Sequence, residues 1–325
     1  MKNQHDHGGD LSRAIDLFGG RKADWIDLST GINRSPYPYD PICKESFEVL
    51  PELDAHARLL NAAQTAFQTT WPITATPGAQ AAIQLLPQVT NLTDVRILSP
   101  TYNEFEGIFH HYGATVKRVS NPLELRGAAT AVIVNPNNPT GSCLSVEELC
   151  EIARRTGTLI VDESFADATP EASLLPLSMP GNVIVLRSFG KFYGLAGLRL
   201  GFVLGMREVI AKLANLAGPW AVSGPALEVA TSAYSDPVWQ SNTRARLALD
   251  TARCDSIIKN AKWELIGGTA LFRTYQTTDA KGAQHLLAKH HIWSRVFPYS
   301  PTWIRLGLPG SESEWERLTH AVNEA

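Results

Sequence analysis

Lys191 closes the run Ser188-Phe189-Gly190-Lys191 and opens Phe192-Tyr193-Gly194-Leu195-Ala196-Gly197-Leu198-Arg199-Leu200-Gly201. A lysine attacks a carbonyl only when deprotonated, so a nucleophilic lysine needs burial or a nearby cation to lower its pKa. A Gly-rich, apolar setting argues for burial and against a solvated surface lysine. Arg199 offers, in the same run, a planar fork that clamps a phosphate dianion with two hydrogen bonds. Asp162 ends the apolar run Thr158-Leu159-Ile160-Val161 and precedes Glu163. A carboxylate at the mouth of a buried strand is costly to desolvate without a cationic partner, and a protonated ring nitrogen would be one. A helix cap or a salt bridge would account for this Asp equally well.

Two loops complete the set. Asn135-Pro136-Asn137-Asn138-Pro139-Thr140-Gly141 follows the apolar run 131–134, so its amides lie at the carboxyl end of a strand, where open α/β sheets bind ligands. Thr76-Pro77-Gly78-Ala79-Gln80 lies between a strand-like and a helix-like segment, where Gly permits close backbone approach and a helix N-terminus offers N–H groups to a phosphate. Alone, that pentapeptide is as well read as a tight turn. Nearer the end, Arg305 stands between Ile304 and Leu306, so on a strand it faces away from both and can line a cleft; an edge-strand surface charge has the same pattern. Cys43, Cys143, Cys150 and Cys254 lack metal-ligand spacing and are expected as reduced thiols with no metal site, Cys143 and Cys150 packing beside a helix start.

Elements of the right kind to position these residues recur from about residue 70 to 205. Strand-like runs at 73–76, 95–99, 115–119, 130–135, 158–162, 182–188 and 200–204 alternate with helical spacing at 79–88, 104–112 and 145–156. The last of these carries a capping box, Ser145 with Glu148. Continuous apolar runs suit a mostly parallel sheet covered on both faces, hence an α/β class. Beyond residue 205 the pattern turns helical, at 207–217, 224–234 and 237–261, and then strand-like at 270–275, 292–297 and 302–308, as in a smaller α+β lobe. The expected division is an N-terminal arm with part of the small domain (1–45), a large domain (46–235) and a small C-terminal domain (236–325). A net charge of −3 without a basic block argues against nucleic acid, and the polar start and lack of a long apolar run argue for the cytoplasm and against a membrane.

Taken together, the order of these residues resembles the fold type I pyridoxal-phosphate enzymes, the aspartate aminotransferase superfamily, over essentially the whole chain. The resemblance implies a large domain with a seven-stranded, mostly parallel sheet, a small α+β domain, and a homodimer. It implies pyridoxal 5'-phosphate held by Lys191 as a Schiff base, Asp162 on the pyridinium nitrogen and Asn138 on the ring hydroxyl. Gly78, Ala79, Gln80, Ser188 and Arg199 would hold the phosphate, Tyr102 would stack on the ring, and Arg305 would receive the substrate's α-carboxylate.

Within the superfamily, His7-Gly8-Gly9, the segment 26–33 ending in Asn33, and Arg305-Leu306-Gly307-Leu308-Pro309 resemble the branch that decarboxylates threonine phosphate in cobalamin biosynthesis. That implies a lyase acting on a small phosphorylated amino acid, L-threonine O-3-phosphate. Asn33 would join Arg305 on the carboxylate, and Arg295, aided by His7, would take the second phosphate. Phe165 stands where aminotransferases carry a tyrosine bonded to the ring hydroxyl, a bond Phe lacks. Leu50-Pro51-Glu52 stands where relatives carry Tyr-Pro-Asp, whose tyrosine reaches the neighbouring subunit's cofactor. The competing readings are a histidinol-phosphate-like aminotransferase, separated by its need for a keto-acid acceptor, and a catalytically silent cofactor-binding scaffold. Retention of Lys191, Asp162, Asn138 and Arg199 together argues against silence.

Overall fold

Runs of β-branched and aliphatic residues that are apolar on both faces can only be satisfied inside a covered sheet, and that is where they lie. The computed structural model describes residues 7–178 and 180–324. The strands are β1 (Ile73–Thr76), β2 (Val95–Leu98), β3 (Val116–Val119), β4 (Thr130–Val134), β5 (Thr158–Asp162), β6 (Val183–Ser188) and β7 (Gly201–Leu204). They form one seven-stranded sheet in the order β1-β7-β6-β5-β4-β2-β3. Neighbours from β6 through to β3 are parallel, whereas β7 runs antiparallel to both β1 and β6. Every residue of β4 is buried, and Leu159, Ile160 and Val161 of β5 are fully so. Helices Ala79–Leu85 and Glu104–His111 cover one side of the core with Ile83, Phe105 and Phe109 against Val132, Ile160 and Leu186. Helix Val146–Ala153 starts at the expected capping box, Ser145 Oγ accepting from the Glu148 backbone N–H and Glu148 from that of Ser145.

The chain divides into two compact units: Tyr37–Asn138 with Ser142–Ser241, and the stretch through Pro36 with Pro139–Gly141 and the chain from Asn242 onward. In the smaller unit, β8 (Glu264–Thr269), β9 (Phe272–Gln276), β10 (Arg295–Phe297) and β11 (Ser300–Gly307) form an antiparallel sheet in the order β10-β11-β9-β8. Ile26–Asp27 and Ile292–Trp293 make a separate parallel pair. Helices Leu11–Phe18, Ala280–Lys289 and Glu312–Asn323 belong to the same unit, with Ala14, Trp25, Ala288 and Trp293 forming a small apolar cluster. Pro139–Gly141 is built into this unit: Thr274 Oγ1 donates to the Pro139 carbonyl at 2.6 Å. Gly141, at φ +70°, approaches so closely that a Cβ there would stand 2.2 Å from the Gly268 nitrogen. Only glycine is tolerated at such a contact.

Three expectations are corrected. The run 292–297 is two short strands, broken at Ser294, whose carbonyl accepts from Gln284 Nε2 at 2.7 Å instead of joining a ladder. The run 270–275 begins only at Phe272, because Thr269 Oγ1 accepts the Leu271 N–H and makes a turn. Cys143 is exposed and Cys150 half-buried, so neither packs fully; Cys254 is the buried thiol, and all four are free. No helix among the described residues is long and apolar enough to cross a membrane.

Candidate active site

In the larger unit the loops after β4, β5 and β6 bring their polar residues to one end of the sheet, as parallel strands in register must. Asp162 pairs with Val134 on one side and Leu186 on the other. It is 4% exposed, and its Oδ1 accepts both the backbone N–H (2.9 Å) and the hydroxyl of Ser164. Burial pushes its pKa up, while the Ser164 bonds and the charge of Lys191 pull it down. Burial dominates, so this carboxylate is short of positive charge.

Lys191 is half-buried on the one-turn helix Phe189–Phe192, directly after β6. Its Nζ lies 5.8 Å from the centre of the Phe165 ring, which is buried. Gly190 makes the turn feasible, since a Cβ would stand 2.5 Å from the Ala196 Cα. The loop after β4 is tied at both ends of its polar stretch. Asn135 Oδ1 accepts from the Leu144 N–H at 2.8 Å; Asn137 Nδ2 donates to the Pro100 carbonyl at 2.9 Å, and Asn137 Oδ1 accepts from Thr101 Oγ1 at 2.6 Å. These bonds anchor half-buried Asn138 next to the segment that carries Tyr102.

The residues expected to hold a phosphate also converge. Gly78, at φ +84°, is the N-cap of helix Ala79–Leu85, and the Arg199 guanidinium occupies the place of its missing side chain: a Cβ would be 2.7 Å from Nη2. Arg199 is exposed and takes a left-handed φ of 51°. Ser188 faces Gly201 across β6 and β7, and Gly201 faces Thr76 across β7 and β1. Gln80 accepts a hydrogen bond from the Tyr102 hydroxyl at 3.0 Å and donates to Glu104 at 3.0 Å.

Behind this end of the sheet lies a buried ion cluster that the sequence did not disclose. Arg187 bonds Glu163 at 3.0 Å and also Asp167, all three at most 5% exposed, with the guanidinium 4.3 Å from the centre of the Phe67 ring. Glu163 accepts in addition from Ser173 Oγ and the Leu174 N–H. The cluster ties the residue after Asp162 to the residue before Ser188. Two further positions were missed. Ser164, in the quoted Asp162-Glu163-Ser164-Phe165, orients Asp162. Gly201, the end of the Lys191 run, lets β7 approach the start of helix Ala79–Leu85, where a Cβ would be 2.4 Å from the Ala79 nitrogen.

The smaller unit gathers a second group. Arg305 lies on β11, only 3% exposed, between Ile304 and Leu306, which are fully buried. Its strand is therefore buried on both faces and is not an edge carrying a surface charge. Its Nη2 donates to the Ser29 carbonyl at 2.6 Å, and its guanidinium lies 5.1 Å from the centre of the Phe272 ring. Arg295 is its direct cross-strand partner. Burial, and after it the charge of Arg295, lowers the Arg305 pKa to about 9. Tyr299 and Asp27 act on Arg305 in the opposite sense, and two neighbouring guanidiniums, one of them desolvated, are a setting that favours a bound anion.

Ser29 organises the approach. Its hydroxyl and N–H both donate to Asp27, and its Oγ accepts the Gly9 N–H at 2.8 Å. Gly8 packs onto its carbonyl, where a Cβ would come within 2.2 Å of the oxygen. His7, exposed, thus leads into a segment docked beside the group that receives Arg305. Asn33 is 4% exposed and its Oδ1 accepts the Ser35 N–H at 3.1 Å.

Two independently assembled groups on this architecture define a class: residues 46–322 match the family model for aminotransferase class I and II, and the chain belongs to that family. Among curated proteins it is 39% identical to a threonine-phosphate decarboxylase from Sinorhizobium sp, over 97% of each chain. It is likewise 39% identical to the threonine-phosphate decarboxylase of Pseudomonas aeruginosa, over 98% of this chain and 97% of that one. Among solved structures, histidinol-phosphate aminotransferase from Sinorhizobium meliloti, in complex with pyridoxal-5'-phosphate, superposes with a TM-score of 0.80 at 17% identity, covering 97% of this chain and 94% of that one. The fold is therefore that of the fold type I enzymes, as expected.

The residues of the larger unit fit pyridoxal phosphate. A buried carboxylate short of positive charge suits a pyridinium, a half-buried lysine beside it suits the aldehyde carbon, and a glycine N-cap opposed by an arginine suits the phosphate.

Proposed function

We propose that this chain is a pyridoxal-phosphate-dependent lyase that decarboxylates L-threonine O-3-phosphate to (R)-1-amino-2-propanol O-2-phosphate, a reaction of cobalamin biosynthesis. The observation that carries the reading is the cross-strand pair of Arg295 and Arg305, the latter buried. Such a pair suits a substrate with two anionic groups, a carboxylate and a phosphate; histidinol phosphate carries a phosphate alone, and an aminotransferase would bring two anionic groups only on its 2-oxoglutarate acceptor. The similarity to curated decarboxylases over nearly the full length supports the same choice.

In this reading Lys191, Asp162, Asn138, Tyr102, Gly78, Ala79, Gln80, Ser188 and Arg199 hold the cofactor. When bound, it supplies an electron sink for the pair released at Cα. Asp162, short of positive charge, keeps a bound pyridinium protonated. Arg305 and Asn33 hold the substrate carboxylate, and Arg295 with His7 holds its phosphate, so the orientation of the Cα–carboxylate bond is fixed from both ends. That bond breaks, carbon dioxide leaves, and Lys191 Nζ returns a proton to Cα. Phe165 adds no hydroxyl next to Lys191, which fits a decarboxylase better than a transaminase.

The larger unit would then be the cofactor domain and the smaller one the substrate domain. A homodimer is part of the proposal, supported by the exposed apolar side chains of Phe47, Val49, Leu50 and Leu53 in the larger unit. A cytoplasmic location is supported by the four free thiols. The test is incubation of purified protein, pyridoxal phosphate and L-threonine O-3-phosphate without any keto acid. Carbon dioxide and aminopropanol phosphate in equal amounts are expected. Turnover only of histidinol phosphate, and only with 2-oxoglutarate, would overturn the reaction and leave the cofactor site standing.

A further inference from the structure

Arg246 lies on helix Pro237–Ile258, outside every group assigned above, yet its Nη2 donates to Asn33 Oδ1 at 2.8 Å. We propose that Arg246 is the positioning residue that decides which end of the Asn33 amide is offered to the substrate, an inference that rests on the proposed role of Asn33 as an anion contact. A side-chain amide is ambivalent: its oxygen accepts and its nitrogen donates, and a half-turn about the last torsion exchanges them. An anion is stabilised by the nitrogen and repelled by the oxygen. The choice between the two orientations therefore decides whether Asn33 helps or hinders binding.

The donors that meet Asn33 Oδ1 favour one orientation of the amide. Its Oδ1 takes two donors, Arg246 Nη2 at 2.8 Å and the Ser35 N–H at 3.1 Å, which uses both lone pairs. Turned over, the amide would set its own N–H groups against a guanidinium and a backbone N–H, and both bonds would be lost. The Ser35 bond is a local turn, closed by any Asn at this position. Arg246 is what adds charge to the preference, since hydrogen bonds to an ionised donor are about twice as strong as neutral ones. The guanidinium is itself fixed: Nη1 donates to Asp250 Oδ2 at 2.7 Å, one helical turn further on. Asp250, Arg246 and Asn33 thus form a relay that starts on a helix and ends on a buried amide, which is 4% exposed.

The experiment is a double-mutant cycle on the holoenzyme, with R246M, R246K, N33A and R246M/N33A. The affinity for L-threonine O-3-phosphate is measured by calorimetry, with KM and kcat beside it. R246M is expected to raise Kd and KM about tenfold, as for loss of a charge-assisted contact, and to leave kcat within about threefold. R246K, which retains the positive charge but not the planar fork, should recover part of the loss. On the N33A background R246M should add less than about twofold. An equal loss on both backgrounds overturns the proposal, because Arg246 then does not act through Asn33. If R246M does not fold, D250N and R246K carry the same comparison. Failure of the proposed reaction shows separately, as absent carbon dioxide from wild type, and the coupling is then read on the affinity for maleate, a dicarboxylate probe of the carboxylate contact. A wild-type chain that binds neither ligand overturns both readings.

Discussion

The two candidate groups, one proposed for the cofactor and one for the substrate's anions, are built by different physics. In the larger unit, Asp162 and Ser188 end parallel strands and Lys191 follows one, and the mutual register of those strands, Val134 to Asp162 to Leu186, brings them to one end of the sheet. In the smaller unit, Arg305 meets Ser29 across 276 positions of sequence, and its neighbour Arg295 is delivered by an antiparallel hairpin. A parallel sheet places any residue that follows a strand at the same end, so the position of one predicts the others. The second group depends on a distant N-terminal segment docking correctly, and it leans on single contacts. The cofactor group should therefore fail through chemistry, and the anion group through the loss of individual bonds.

The largest effect tests the first group alone. K191A should abolish turnover and the visible absorption of bound cofactor, with affinity for inorganic phosphate in the smaller unit unchanged; an active K191A protein removes the proposed mechanism. R305M should do the converse. Losing one partner of a buried, charge-assisted contact costs about 3 kcal/mol, roughly a hundredfold in kcat/KM, with the cofactor's absorption spectrum unaltered. A spectrum that changes with R305M would mean that the two groups are not separable.

G201A is a smaller break in the first group. Its Cβ would sit 2.4 Å from the Ala79 backbone nitrogen, and overpacking of this kind typically costs about 1–3 kcal/mol. The expected result is a lower Tm and faster loss of cofactor on dialysis, with KM for the substrate unchanged.

The least effect comes from pH. Burial raises the Asp162 pKa above its ordinary value, so the folded apoprotein binds this proton more readily than the unfolded chain does. Its contribution to stability then grows as pH falls through the raised value toward that of an unfolded Asp, and diminishes as pH rises. The apo form of D162N should be more stable than wild type at neutral pH by an amount that shrinks toward pH 4. Added cofactor should reverse the order. Thermal melts of both proteins across that range, with and without pyridoxal phosphate, check the sign; a difference that grows toward low pH would refute it.

The contrast also explains what could be read in the sequence. Seven apolar runs match the strands of the large sheet to within a residue, and the loops after them carry the residues proposed for the cofactor, because burial on both faces leaves a continuous signal. The antiparallel placement of β7 left no such trace. Strand β8 escaped notice since Gly267 and Gly268 interrupt it; their backbones are required for close contact with Thr140 and Phe272. Helix Leu53–Ala66 escaped because it buries only Leu59 and Ala63, too narrow a stripe to stand out. Helix Glu312–Asn323 did carry a usable sign, Ser311 three residues before Glu314, and the structure uses that cap. Arg305 is singled out by its resemblance to a known pattern, whereas its contact with Ser29 and that of Arg246 with Asn33 are not legible, since a contact spanning more than two hundred positions leaves no local periodicity.

The Glu163, Asp167 and Arg187 cluster bears on how this chain can change over generations. Replacing one member alone strands a buried charge, at a cost of about 3–5 kcal/mol, a large part of the whole stability of a typical domain. Exchanging all three for well-packed apolar residues is often neutral by comparison. Single substitutions at these sites should therefore be purged and joint ones tolerated, so the trio is inherited as a unit. Any attempt to transplant Asp162 and Lys191 onto another sheet would have to carry that unit along or rebuild the space it fills.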